Sequence, residues 1–169
     1  MKSYFSKYLG KGTTVPPAPN HKHILWSWLG ACLGITSIAW LSNQAGAPFF
    51  MAPFGASCVL VFGLPNSPLA QPRSLVFGHL ISALVGLVVM KTLGVDWWTM
   101  GIAVASAIAF MQVTRTVHAP AGATPLVVMM TNADWLFLLT PVLSGALVIM
   151  IIGLVTNNLS RNRSYPEYW

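Results

Sequence analysis

Charge is what this sequence has least of. Only 7% of its 169 residues are charged, and the acids number three, Asp96, Asp134 and Glu167. An ordinary soluble domain carries about 25% charged residues and needs them at its surface to stay dissolved. Three acids also cannot supply a carboxylate relay of any length across a membrane. Cysteine is equally sparse. Cys32 and Cys58 both fall inside apolar runs, which excludes a disulfide scaffold and makes them small packing residues. The chain lacks a Gly-rich nucleotide loop, a Cys/His metal spacing and a Gly-x-Ser-x-Gly elbow. No enzyme activity, metal or cofactor is therefore expected.

What is present is apolar. Hydrophobic residues make up 55% of the chain, and its mean hydropathy is +0.66. These values exclude a soluble globular enzyme and a disordered chain. They leave an all-α polytopic membrane protein, one domain by length. Nine Lys and Arg give a net charge of +6. In a soluble protein that excess would suggest nucleic acid. Here the basic residues lie between or outside apolar runs, so membrane topology accounts for them and no nucleic-acid partner is expected.

Residues 1–23 are polar and basic, with Lys2, Lys7, Lys11 and Lys22 and three prolines, and read as a cytoplasmic tail. The apolar run after them has no small-residue cleavage site, so an uncleaved first span is expected. Long apolar runs cover about 24–42, 75–94, 99–113 and 136–156, with Trp26, Trp28, Trp40, Trp97, Trp98 and Trp135 at their margins as interfacial belts. Two short runs, 53–64 and 120–130, are too brief for ordinary spans. Residues 159–169 form a second tail.

The short runs belong to an internal repeat. Ala52-Pro53-Phe54-Gly55-Ala56-Ser57 matches Ala119-Pro120-Ala121-Gly122-Ala123-Thr124 at an offset of 67, and the same offset carries Gly34 to Gly101, Gly78 to Gly145 and Gly86 to Gly153. Repeat one covers about 24–91 and repeat two about 92–158, each reading as long span, short broken run, long span. If the short run completes a crossing, each repeat passes three times and the second copy is inverted, an architecture used by secondary transporters. If it re-enters, the copies are parallel. Three passes put eight of nine basic residues inside, with only Lys91 outside; two passes put seven inside. The expectation is six transmembrane segments as two inverted three-helix repeats with two short broken helices. Both termini are then cytoplasmic and the protein lies in the cell (inner) membrane.

The repeated motif has a chemistry. Pro fits the first turn of a helix, where its missing N–H is not needed. Gly and Ala leave that turn bare, so a ligand can approach amides that have no intrahelical partner and carry the positive end of the dipole. Such a terminus binds anions, and Ser57 and Thr124 add hydroxyls. The candidate substrate site is therefore Pro53, Phe54, Gly55, Ala56 and Ser57 with His118, Pro120, Gly122, Ala123 and Thr124. The bland alternative for each copy is a tight helix start packed on a neighbour. His118 is a donor facing the anion path or a pH-sensitive gate, or else a histidine that caps or bonds local backbone. Arg73 and Arg115 attract the anion at the cytoplasmic mouth or anchor the interface. His79, inside a long apolar run, is a functional group or a neutral histidine bonded to a neighbour. His21 and His23 read as solvated tail residues. Asp96 and Asp134 read as surface groups. Small residues at four-residue spacing (Gly30/Gly34, Gly78/Ser82/Gly86, Gly101/Ala105/Ala109) indicate close helix packing, and one stripe could mark a homo-oligomer contact.

At these residues the chain resembles the HPP family of integral membrane proteins. The matching stretches are the two Pro-x-Gly-Ala motifs, Ser67-Pro68-Leu69-Ala70-Gln71-Pro72-Arg73 with Gly78-His79, Thr114-Arg115-Thr116-Val117-His118, Asn157-Asn158 and Tyr165-Pro166. They span about residues 24–169. One departure is that the His-Pro-Pro triplet reads His118-Ala119-Pro120, which keeps the proline that starts the helix. Members of this family in chloroplasts and cyanobacteria are associated with nitrite transport. The resemblance thus implies nitrite or a related small monovalent anion, where the residues alone reach only a small inorganic anion. The expected partners are that anion and the lipid bilayer, and a channel or uniporter is expected rather than carboxylate-based proton coupling. The alternative is a non-transporting membrane scaffold or sensor subunit.

Overall fold

A computed structural model of the chain describes residues 8, 14–46 and 50–169; Lys2, Lys7 and Lys11 of the tail lie outside the described residues. The described residues are helical with no strand. Helix α1 covers His21–Ala45, capped by the Asn20 side chain, which accepts from the His23 amide at 2.8 Å, and closed by Gly46 at φ +58°. Helix α2, Pro53–Cys58, runs on through a π-helical turn, Val59–Gly63. Pro72 opens α3, Pro72–Leu93. Helix α4, Trp97–Val113, starts on a capping box between Asp96 and Thr99. A 3₁₀ turn, Ala119–Ala123, leads into α5, Thr124–Met130. A 3₁₀ turn and a π-helical turn that breaks at Thr140 precede α6, Ser144–Leu159.

Three of these helical stretches, His21–Ala45, Pro72–Leu93 and Trp135–Leu159, are long and apolar enough to cross a membrane by length and composition. Pro53–Gly63, Trp97–Val113 and Ala119–Met130 are shorter apolar helices. In the core, α3 packs on α4 and α5, α1 packs on α6 and the π-helical turn of the first broken helix, and the starts of the two broken helices touch. Small residues set these approaches. A Cβ on Gly30 would sit 2.3 Å from the Phe62 ring, one on Gly86 2.8 Å from Pro125 Cα, and one on Gly153 2.6 Å from Val61 Cγ1. Gly86 and Gly153 are repeat equivalents, and each admits the broken helix of the other repeat.

One end of the bundle is stitched by side chains. The last carbonyls of the first broken helix lie beyond intrahelical partners. Asn157 Nδ2 donates to Val61 O (3.0 Å), Ser27 Oγ and Arg163 Nη1 to Phe62 O (2.7 and 3.0 Å), and His23 Nε2 to Gly63 O (3.0 Å). Arg163 also donates to His23 O, Ser27 Oγ and Asn157 Oδ1. The Tyr165 hydroxyl donates to Ala70 O at 2.7 Å, and burial pushes its phenol above the ordinary value.

Several expectations change here. His23 is not a solvated tail residue but the first residue of this clamp. The C-terminal stretch is docked rather than trailing: Glu167 N donates to Gln71 Oε1 at 2.8 Å. Asp96 and Asp134 are exposed, and each also caps a helix start. Of the small-residue stripes, Gly30/Gly34 and Gly78/Gly86 are packed, whereas Gly101 has no neighbour within 4 Å of a built Cβ and Ala105 and Ala109 are exposed.

Candidate functional site

The two repeat motifs come together. Ala52, Pro53 and Ala56 from the first and Ala119, Pro120 and Ala123 from the second flank one groove of about 700 Å³. Gly55 and Gly122 have no atom within 4 Å of a built Cβ, so both backbones are bare on that side. The amides are less free than the motif suggests. Phe54 N and Gly55 N donate to Met51 O and Ala52 O (3.0 and 3.1 Å), and Ala121 N donates to His118 O (2.9 Å). Tight bonds of this kind satisfy a helix start from within. The expectation of unpartnered amides is corrected at these three positions.

The hydroxyls are turned away from the groove. Ser57 and Thr124 are fully buried, as are His79 and His118, and the four form a chain. Ser57 Oγ lies 2.9 Å from His79 Nε2 and 2.9 Å from His118 Nε2. His79 Nδ1 lies 2.9 Å from Thr124 Oγ1. His118 Nδ1 lies 2.6 Å from Leu69 O. Phe54 stands edge-on to the His79 ring, centroids 5.2 Å apart, and the two imidazoles are 5.0 Å apart. Gly78 is what lets α3 close on this cluster: a Cβ there would lie 2.7 Å from His118 Cβ.

The proton positions follow from acceptor counting. A carbonyl only accepts, so His118 carries its hydrogen on Nδ1. Its bare Nε2 then takes the one Ser57 hydrogen. Ser57 oxygen therefore accepts from His79 Nε2–H, and the bare His79 Nδ1 accepts from Thr124. With both rings neutral, this assignment leaves no ring nitrogen unpaired. The alternative, two bare Nε2 atoms facing Ser57, offers one hydrogen to two acceptors.

The candidate residues thus divide. Pro53, Ala56, Pro120 and Ala123 line the groove with Val59, Leu60 and Leu126, and Gly55 and Gly122 are not part of that lining. Phe54, Ser57, His118 and Thr124 form the sealed polar core behind it. Arg73 and Arg115 sit elsewhere: Arg73 Nη2 donates to Thr114 O at 3.0 Å, capping α4, and Arg115 is exposed at φ +57°. His79 is the member that sequence reasoning left between two readings. It joins the hydroxyls of both repeats, and its repeat equivalent is Ala146, while the equivalent of His118 is Met51. The histidines therefore break the symmetry that the hydroxyls keep. Among the described residues no group of three or more His, Cys, Asp or Glu is placed to hold a metal ion.

The family model that matches is that of the HPP transmembrane region, over residues 16–166. Two proteins of Dictyostelium discoideum, each named only as a transmembrane protein, are similar. One is 41% identical over 98% of this chain and 63% of its own length, the other 38% over 100% and 59%. The chain thus spans about three fifths of the curated relatives it matches. No solved structure matches.

Proposed function

The chain belongs to the HPP family of transmembrane proteins, and from that premise we propose that it carries a small inorganic anion across the bilayer, nitrite foremost, between its two broken helices. The observation that carries this reading is the meeting of the two repeats: Ser57 from one and Thr124 from the other bond the same buried histidine, beside a groove flanked by both motifs. Polar groups this deep in an apolar bundle are costly and mark pathways in membrane proteins. Discontinuous helices at a repeat interface are where secondary transporters bind. In this reading the polar core is sealed, and the anion reaches it when the broken helices part along the groove.

The reading includes six crossings in two inverted sets. Its support is that the start of α1, the end of the first broken helix, the start of α3 and the end of α6 share the Arg163 and Gln71 contacts, and that Arg73 brings the end of α4 to α3's first turn. With α1 and α3 starting and the first broken helix, α4 and α6 ending on that face, the second broken helix runs the other way and each repeat crosses three times. The face with Arg73, Arg115, Arg161 and Arg163 is then cytoplasmic.

Purified protein in liposomes is expected to pass nitrite or another small anion above the leak of protein-free vesicles, and Gly122→Leu, which fills the open side of the second turn, is expected to cut that flux at least tenfold. Absence of flux for every anion overturns the reading in favour of a non-transporting scaffold.

A further inference from the structure

The geometry points to a one-proton site at His118, with Ser57 as its pivot, whose charge is balanced by the carried anion, so that proton and anion bind together. The inference deepens the transport reading and rests on it for the identity of the counterion.

The pivot is visible in the spare acceptor. Besides its two histidine partners, Ser57 Oγ lies 3.2 Å from Pro53 O, one turn back on its own helix. With both rings neutral, the Ser57 hydrogen goes to His118 Nε2. If a proton arrives on His118 Nε2, that nitrogen becomes a donor. The Ser57 hydrogen then swings to Pro53 O, and its oxygen accepts from both imidazoles. All ring nitrogens and the hydroxyl remain paired in both states. The same proton on His79 Nδ1 would displace the Thr124 hydrogen, which has no second acceptor, backbone or side-chain, among the described residues. One rotor, two satisfied states and one added proton place the charge on His118. The Leu69 carbonyl closes the far end of the chain, so the cluster stores a proton rather than conducting one past Leu69.

The surroundings supply no counter-charge. On α2, beside Ser57, the neighbouring titratable group is the Cys58 thiol. On α3 it is His79, with Arg73 at the helix start tied to Thr114 O. At the end of α4 it is Arg115, and α5 offers Thr124. The three acids are engaged or placed elsewhere: Asp96 and Asp134 cap helix starts, and Glu167 accepts from Asn66 at 2.6 Å. A buried charge without a partner is strongly disfavoured. A small anion that reaches the core as the broken helices part along the groove offsets it, and the protonated ring offsets the anion. The coupling is reciprocal: anion raises proton affinity, and proton raises anion affinity. Coupling of this kind needs no buried carboxylate.

Two measurements test this. Nitrogen-15 NMR of histidine-labelled protein in detergent reads the proton site without any transport. At high pH, His118 is expected protonated on Nδ1 and His79 on Nε2. On acidification one proton adds to His118 Nε2 while His79 keeps its tautomer, and nitrate moves that step to higher pH. A His79 that carries Nδ1–H or takes the charge overturns the site, and a step that nitrate and nitrite leave unmoved overturns the coupling. In vesicles loaded with a pH dye, nitrate and chloride, whose strong acids stay ionised and so leave almost no neutral form to cross, are expected to enter with one proton each. At one proton per anion they accumulate about tenfold per pH unit of gradient. His118→Gln is expected to lower that ratio to one. Flux that ignores the gradient, with no nitrate effect on the NMR step, overturns the inference and leaves transport standing. No flux with an intact nitrate-linked step overturns transport and leaves the proton–anion site.

Discussion

At the scale of single residues, the protein concentrates its polar risk on one serine. Ser57 partners two buried imidazoles at 2.9 Å each, whereas Thr124 partners one. Leaving a buried donor or acceptor unmet costs about 1–3 kcal/mol. Ser57→Ala strands both Nε2 atoms and is expected to destabilise by about 2–6 kcal/mol. Thr124→Val strands only His79 Nδ1 and is expected to cost about 1–3 kcal/mol, while Thr124→Ser, which keeps the hydroxyl, stays near the parent. Thermal unfolding in detergent reads the order directly. A Ser57→Ala protein that melts with the parent would mean the four-residue chain does not form. The motif already carried Ser57, Thr124 and His118 as candidates. What the sequence could not show is the direction in which the hydroxyls point. Gly55 and Gly122 are bare, and Ser57 and Thr124, two residues on, lie a little over half a helical turn away, so an anion approaching the glycines does not meet the hydroxyls first. His79 was undecidable for a related reason: nothing along the chain fixes which turn of α3 lies beside Thr124, 45 positions later.

At the scale of elements, three of the four long apolar runs were legible as helices long enough to cross a membrane, while the run at 99–113 forms the shorter Trp97–Val113, and the broken helices were legible because a Pro-x-Gly-Ala start recurs at an offset of 67. The π-helical turns at Val59–Gly63 and Leu139–Leu143 were not. They answer to packing, not to local propensity. The glycines also do different jobs. Gly86 faces the Pro125 Cα at 2.8 Å, a backbone atom that cannot swing aside; Gly153 faces the tip of Val61 at 2.6 Å; Gly122 faces open space. Overpacking a tight contact costs about 1–3 kcal/mol. Alanine is therefore expected to destabilise most at Gly86, less at Gly153, and least at Gly122, where a helix-favouring residue is added without a clash. The melting temperatures of the three variants in detergent check the ranking, and equal values would mean that the two repeats pack more loosely than these contacts imply.

At the scale of the whole molecule, the two ends of the chain close the structure on each other, through contacts no local pattern could announce. Arg163 donates to His23 O, Ser27 Oγ, Phe62 O and Asn157 Oδ1, tying α1, the first broken helix and α6 at one face, across sequence separations as large as 140. The guanidinium is suited to this because its donors fan out in a rigid plane and reach several acceptors at once. Lysine offers a single ammonium and cannot span the set. Arg163→Lys is therefore expected to loosen the end of the broken helix while leaving the Ser57–His79 cluster in place. Phe62 O keeps its Ser27 bond and Val61 O its Asn157 bond, so the helix end stays partly capped. Hydrogen exchange is the measurement that separates local from global effects. Faster exchange confined to the last turn of the broken helix and the start of α1, with the α3 and α5 amides unchanged, is the expected pattern. Uniform loss of protection would instead make Arg163 a determinant of the entire fold. Protection identical to the parent would mean that the tail rests on the bundle without holding it. In the proposed transport reading it is the broken helix that moves to open the groove, so a loosened end that also speeds anion flux would connect this clamp to that proposed movement.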